Sequence, residues 1–373
     1  MAKVLINDST LSNMADEIRS QKGTQNTMTP DEMVAEVTNI GENTTATADD
    51  IVAGKTAITS EGLTTGTSEF NASMELVLTR SYQGLTGTPK LVSLIKKIPN
   101  IDITVLTSFY ELFSDWWRLE EIPNSIDTSN VTNFEKAFNN CLSLKYIPNI
   151  NTNNGKSFKY MFNGCYSLEN IPTSLNTSSA TANSDFSDMF SGCKKIKTIP
   201  SIDTSKARTL SMLCSNCVEL ESVPTLDCSS AMYMGNMFSG CKKLTSVSFI
   251  NTNLAVEISN MFSNCTSLVT APQFYTGSCT TMRQMFSGCT NLVNVPEYDT
   301  SGLTSNNHYY MFNNCPNLSN DSLNTILLMC TNATSITSSK TLKTLGLTSA
   351  QATTCQSLSN YADFISAGWT TGY

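Results

Sequence analysis

The sequence predicts an α/β repeat solenoid of short parallel strands and two-turn helices, preceded by a small helical module and closed by a helical cap. Three observations predict it: a cysteine recurs about every 24 residues, apolar residues keep fixed offsets from that cysteine, and Gly or Asn precedes it. A unit this short cannot bury its apolar face alone, so neighbouring copies must bury it for each other.

The repeat is marked by cysteines that are 24, 28, 24, 24, 24, 24 and 26 residues apart. Trp116 and Val92 take the marker position in two earlier, degenerate repeats. The odd total of 13 cysteines argues against a complete disulfide framework, so we expect small buried thiols. The markers are Cys141, Cys165, Cys193, Cys217, Cys241, Cys265, Cys289 and Cys315.

Apolar residues stand seven, four and three positions before each marker, and with the marker they share one face of a two-turn helix. Gly or Asn directly before the marker tolerates the left-handed conformation that ends a helix. The position three before the marker therefore predicts a ladder of stacked aromatic side chains. Its members are Phe138, Phe162, Phe190, Phe238, Phe262, Phe286 and Phe312.

An apolar residue follows each marker by three positions, another follows every marker except Cys315 by six positions, and a proline usually comes next. Because proline cannot donate a backbone hydrogen bond, the strand predicted there must be short and end at the proline. A polar corner, such as residues 202–205 (IDTS), is then expected to cap the helix of the next repeat.

Charge and hydropathy exclude several classes of function. The net charge is −8 and only 14% of residues are charged, without a basic patch, which argues against nucleic acid or an anionic membrane as partner. No apolar run approaches the roughly 20 residues of a membrane span, so no membrane insertion is expected. The amino terminus shows no apolar signal segment, so we expect a protein made in a cytoplasm and not exported by the secretory route.

Catalytic and metal-binding interpretations are weaker than structural ones. Cys214 and Cys217 have the spacing of a metal or redox pair, but the repeat register explains both and no second pair lies at zinc spacing. His308, the single histidine, occupies an apolar position of the repeat, which favours a core residue over a catalyst. A glycosidase pair of acids stays open, with no candidate centre. We expect no enzyme, no metal and no cofactor.

Some aromatic residues are candidates for ligand contact. Trp116 occupies a marker position, so its neighbour Trp117 must point elsewhere. Exposed aromatic side chains stack on sugars or anchor protein partners, although packing is their commoner role. The candidates are Trp117, Tyr146, Tyr298, Tyr309 and Tyr310.

The repeat resembles the BspA-type leucine-rich repeat of bacterial surface and phage proteins. Residues 237–244 (MFSGCKKL) and 126–132 (IDTSNVT) carry the resemblance, which spans about residues 92–318. It implies a curved, leucine-rich-repeat-like solenoid with a narrow parallel sheet. It also implies a binding role without indicating the ligand.

The first 67 residues are similar to modules at the front of phage tail, baseplate and fibre proteins. Two glycine-ended helical patterns, the second opened by a capping box at residues 29–32 (TPDE), precede residues 54–57 (GKTA) and a small hairpin near residues 61–67. This resemblance implies that the segment docks onto other virion proteins.

Four segments follow: a docking module with a small hairpin at 1–67, a connector and solenoid N-cap at 68–91, the solenoid at 92–320, and a helical C-terminal cap at 321–373. Within the cap, helices are predicted at 321–329 and 349–358.

The predicted function is that of a phage virion structural protein, a fibre or receptor-binding protein of the tail or baseplate. It is expected to assemble in the host cytoplasm and to form a homo-oligomer on the particle. Its solenoid is expected to recognise a glycan or protein of the host surface. Two alternatives stay open: a capsid decoration or head-fibre protein without a receptor role, and a bacterial surface adhesin.

Overall fold

The structure is a computed structural model that describes residues 56–59, 62–65, 106–124, 126–172, 175–248 and 250–373. Strands β1 (Thr56–Thr59) and β2 (Gly62–Thr65) pair antiparallel, so the small hairpin predicted near residues 61–67 begins earlier, at Thr56. The rest of the docking module, the connector at 68–91 and the repeat of Val92 lie outside the described residues.

The predicted repeat solenoid is confirmed. We call each repeat a coil and name it by its marker residue, from the Trp116 coil to the Cys315 coil. Their buried side chains form one continuous core that runs from Phe109 to Trp369. The core is continuous because each coil buries its neighbour's apolar face.

The predicted two-turn helices are wrong: residues 106–319, so far as they are described, contain no α-helix. Consecutive turns stand in their place. In the Cys141 coil, the N–H groups of Ala137 and Cys141 donate to the carbonyls of Phe134 and Phe138 at 3.1 and 3.2 Å. Alternate N–H groups leave the coil, as Phe138 N–H does when it donates to Met161 O in the next coil at 2.9 Å.

Two left-handed residues in each coil explain the difference. In the Cys141 coil they are Lys136 (φ 56°) and Asn140 (φ 59°), five and one positions before the marker. An α-helix would keep every N–H inside the segment, whereas this backbone sends half of them to the next coil. The side chains at the predicted offsets are still buried, because consecutive turns return to the same face at similar spacing.

The parallel strands are also shorter than predicted. Only β3 (Ser184–Asp185) and β4 (Ala207–Thr209) form a parallel pair longer than a single bridge among the described coils. The strand predicted between the marker and the proline is reduced to isolated bridges such as Tyr146 with Asn170. The main column of bridges lies eight positions before the markers, where Asn133 pairs with Ser108 and Ser157.

The polar corner is an Asx turn and not the helix cap that was predicted. In the Cys217 coil, Asp203 Oδ1 accepts the Ser205 N–H at 3.0 Å. The buried Thr204 hydroxyl donates to Asp227 O of the next coil at 2.7 Å. The corner therefore turns the chain and also links two coils.

The C-terminal segment covers the last coil. Helices α1 (Asn320–Asn332) and α2 (Ser349–Cys355) lie where two helices were predicted, and a third, α3 (Tyr361–Ser366), was not. The Phe312 N–H donates to Leu345 O at 2.9 Å, and Gln351 Nε2 donates to Cys315 O at 2.8 Å. None of the described helices is long and apolar enough to span a bilayer.

Candidate partner-binding surface

The interior is filled by stacked rings. Phe162 lies between Phe138 and Phe190, with ring centroids 5.6 and 5.8 Å away and planes within 4° and 12° of parallel. From Phe238 the stack continues through Phe262 and Phe286 to Phe312 at spacings of 5.5 to 5.9 Å. Side chains along this axis support the fold, so any binding surface must lie elsewhere.

The marker cysteines hold coils together as thiols. Cys265 Sγ donates to Phe238 O at 3.1 Å, and each marker from Cys141 to Cys315 makes the equivalent bond to the preceding coil. Burial raises the pKa of the Cys165 thiol to about 12. All 13 cysteines are free and buried.

The Cys214–Cys217 pair belongs to the same structural set. Cys217 Sγ donates to Phe190 O at 3.1 Å, and Cys214 O accepts from Cys241 Sγ at 3.1 Å. Across the described residues, no three Cys, His, Asp or Glu side chains are grouped so that they could hold a metal ion.

His308 packs the last coil against the cap. Its ring lies edge-on to Trp369 with centroids 5.5 Å apart, and Nε2 is 3.3 Å from Ser339 O. Burial lowers the pKa of this imidazole below its ordinary value. The position therefore serves packing at the junction between coil and cap.

The structure separates the five candidate aromatics. Trp117, Tyr146 and Tyr310 are 48%, 49% and 46% exposed and are available to a partner. Tyr309 is half-buried, and its hydroxyl donates to Ser339 Oγ of the cap at 2.6 Å. It is thus held at the junction between coil and cap.

Tyr298 is wrong as a ligand contact, because it is a core residue with 1% of its surface exposed. Its ring stacks on Phe274 with centroids 4.9 Å apart, and its hydroxyl donates to Pro272 O at 2.8 Å. The sequence could not reveal this, since Tyr298 lies in the variable corner between two coils.

Exposed aromatic side chains occupy the position directly after the marker in two of the coils. We call Trp117, Leu142, Tyr166 and Lys194 the aromatic patch. The backbone sets them side by side: Ser143 N–H donates to Trp117 O, and Ser167 N–H donates to Leu142 O, both at 3.1 Å. Tyr166 is 43% exposed and was missed, although it occupies the same repeat position as Trp117.

Lys194 and Gly192 fix the far end of the patch. Lys194 Nζ lies 3.7 Å from the centroid of the Tyr166 ring, a cation–π contact. A β-carbon on Gly192 would lie 3.4 Å from Tyr166 Cε1, an ordinary contact distance, so the ring lies close to the backbone at Gly192. The Tyr166 ring is therefore pre-positioned, which lowers the entropy cost of binding.

A rim of paired charges lies beside the patch. Lys195 Nζ is 3.1 Å from Glu169 Oε1, and Lys197 Nζ is 3.3 Å from Glu221 Oε1. Such exposed pairs contribute little stability. Their effect is to surround the aromatic patch with a polar surface of mixed sign, as is typical of protein-binding sites.

Solved leucine-rich-repeat proteins are similar to this chain. One from Bacteroides ovatus is 20% identical over 60% of this chain and 69% of its own, with a TM-score of 0.27. One from T. pallidum is 16% identical over 66% and 79%, with a TM-score of 0.28. A leucine-rich cell surface protein from Faecalibacterium prausnitzii is 17% identical over 55% and 73%, with a TM-score of 0.24. No curated protein matches.

A protein family matches the solenoid twice, at residues 107–224 and 209–326. These two overlapping matches span more than half of the 373 residues and run from the Trp116 coil into helix α1. The chain therefore belongs to the family described as "Mycoplasma protein of unknown function, DUF285".

Proposed function

We propose that this protein is a non-catalytic recognition protein whose solenoid binds a glycan or protein of a cell surface through the aromatic patch. The observation that carries the proposal is the exposure of Trp117 and Tyr166 in one register, two coils apart, with Leu142 on the coil between them. Trp and Tyr are enriched among the residues that dominate binding energy, since they bury a large area and lose little side-chain entropy.

Two features support a role without catalysis. The single histidine is committed to the junction of coil and cap. The cysteines, which could act as nucleophiles only as thiolates, are buried, and burial raises the pKa of several of them, that of Cys265 to about 12.

We further propose that the protein is carried on a phage particle, at the tail or baseplate, as a homo-oligomer. The support is the resemblance of residues 1–67 to docking modules of phage tail, baseplate and fibre proteins. Several copies on one particle would convert weak single contacts into firm attachment.

A second candidate is a bacterial surface adhesin. The family description favours it, because it refers to proteins of a cellular bacterium. In that case the aromatic patch keeps the same role, while the cell that makes the protein displays it.

The binding role is tested with fluorescently labelled full-length protein incubated with cells of the bacterium that carries the gene. We expect saturable binding that the double variant Trp117→Ala, Tyr166→Ala reduces at least tenfold, since two aromatic anchors are lost. Tyr233→Ala, an exposed tyrosine outside the patch (39% exposed), is the matched control. Equal binding by the double variant and the control would remove the patch from the proposal.

The location is tested by negative-stain microscopy of phage particles induced from that bacterium, with a labelled antibody against the protein. Label at the tail tip supports the tail or baseplate proposal. Label on the head supports a decoration or head-fibre protein, and label on the cell surface alone supports the adhesin.

A further inference from the structure

A second concave surface of the described solenoid lies on other coils than the aromatic patch. A groove of about 490 Å³ crosses the coils of Cys241, Cys265 and Cys289 and is bounded at one end by helix α1. Its floor consists of the apolar residues six positions after the markers, Val247, Ala271 and Val295. Ligand sites in proteins are commonly such clefts, with an apolar lining and a few placed polar groups.

Two departures from the repeat coincide with this groove. Ala271 stands in the middle of the floor where the other coils have Ile or Val, so the floor is lowered there. Ser248 stands where the other complete coils have proline after this position, and it borders the segment that lines the groove. Both departures belong to these coils and do not recur with the repeat.

Five exposed polar side chains line the groove, and Gln273, Asn294 and Asp321 supply its amide and carboxylate groups. Asn294 Nδ2 donates to the Thr270 hydroxyl at 3.3 Å across neighbouring coils, which orients the amide. Ser322 accepts the Val295 N–H at 2.8 Å and so holds the helix that carries Asp321 against the groove. The polar groups thus stand on fixed backbone.

This set of groups fits hydroxyls. A carboxylate accepts hydrogen bonds, and each side-chain amide both donates and accepts. A sugar ring presents vicinal hydroxyls, which donate and accept, at its edge, and C–H groups on its face. The apolar floor suits that face, while Gln273, Asn294 and Asp321 suit the edge.

The charge of the lining selects among saccharides. Asp321 is the only charged residue of the groove lining, and the chain as a whole carries a net charge of −8. Acidic sugars would place a second negative charge beside an unpaired carboxylate, which costs binding energy.

We infer that this groove binds a neutral, hydroxyl-rich saccharide. The inference extends the proposed recognition of a cell surface, on which it rests, by a second site of defined ligand chemistry. The aromatic patch and the groove lie on different coils, so each can be disabled without the other.

The test is titration of full-length protein with maltotriose, cellotriose and triacetylchitotriose, followed by saturation-transfer NMR and calorimetry. Sialyllactose is the anionic comparison. We expect at least one neutral trisaccharide to bind with a Kd on the order of 1 mM or tighter, and sialyllactose to bind more weakly. Asp321→Asn and Gln273→Ala should each weaken binding roughly tenfold, since each removes hydrogen bonds to the sugar.

Ala271→Ile is the sharpest variant, because it restores the side chain that other coils carry and fills the floor. It should weaken binding roughly tenfold, and a thermal melt of the variant separates this loss from any destabilisation caused by the added core volume. Asp363→Asn makes the same chemical change as Asp321→Asn on the exposed face of helix α3 and should leave binding unchanged.

Three results would overturn the inference: no neutral trisaccharide binds at its highest soluble concentration, sialyllactose binds best, or the groove variants bind like Asp363→Asn. If cell binding depends on Trp117 and Tyr166 but the protein binds no trisaccharide, the groove is not a saccharide site. The proposed function is then still supported. Trisaccharide binding by a protein that does not attach to cells would support the groove as a saccharide site and contradict the proposed function.

Discussion

Asn216 lies over Gly240 of the next coil so closely that a β-carbon on the glycine would stand 2.5 Å from Asn216 Oδ1. The same relationship joins Asn264 to Gly288, at 2.4 Å. Asn140, Asn216 and Asn264 thus each cover a glycine one coil later, and both members of each pair have positive φ.

Gly240→Ala should therefore destabilise the protein for two separable reasons. The left-handed conformation (φ 77°) costs an alanine about 1–2 kcal/mol, and the contact with Asn216 adds to it. Asn216→Gly in the same chain should recover the contact part alone. Urea unfolding of the single and double variants measures the conformational cost and the contact cost. A Gly240→Ala variant as stable as the parent chain would contradict the packing of Asn216 on Gly240.

Phe162→Ala should lower the free energy of unfolding by about 3–5 kcal/mol, because it leaves a cavity between Phe138 and Phe190. Since coils stabilise only their neighbours, unfolding should also become less cooperative. Calorimetry of the full chain measures both effects. Ser167→Ala, two residues after the marker Cys165 and outside the core, is the control. If Phe162→Ala lost no more unfolding free energy than this control, the stacked rings would not stabilise the core.

The thiols should be inert in the folded protein. Burial raises the pKa of Cys289 well above its ordinary value and that of Cys315 to about 12, and only the thiolate reacts. At pH 8, a chromogenic disulfide reagent should therefore react very slowly with the intact protein. After denaturation without reductant, it should react rapidly with all 13 cysteines. Fewer than 13 after denaturation would mean that some cysteines pair as disulfides.

His308 should make the stability pH-dependent at the cap. Burial lowers its pKa in the folded state below the ordinary 6.5, so the unfolded chain binds the proton more tightly. Above pH 6.5 the imidazole is mostly neutral in both the folded and the unfolded chain, so it does not lower the free energy of unfolding. As the pH drops from 6.5 towards the folded pKa, the free energy of unfolding falls. His308→Met, the residue of the equivalent position in two other coils (Met234 and Met282), should remove this part of the slope.

The measurement is the unfolding free energy of both proteins from pH 8 to pH 5. As the pH falls, the unfolding free energy of the parent protein should decrease more than that of His308→Met. A constant difference over that range would show that the folded protein accommodates the charged imidazole.

The sequence by itself determined the solenoid, its register and its core, because burial depends on periodic side-chain spacing and the cysteines, phenylalanines and glycines keep that spacing. It also located the helices of the cap at 321–329 and 349–358, which the structure has as Asn320–Asn332 and Ser349–Cys355.

Only the tertiary structure decided the path of the backbone and the accessible surface. Offsets such as those of Phe134 and Phe138 from Cys141 fit a helix and a run of turns equally well. The helix and the run of turns differ in whether a backbone N–H donates within its own coil or to the next coil. The Phe138 N–H, for example, donates to Met161 O of the next coil. Likewise the sequence named both Tyr298 and Tyr146 as candidates for ligand contact, and only the packing of neighbouring coils determines that Tyr298 is buried and Tyr146 exposed.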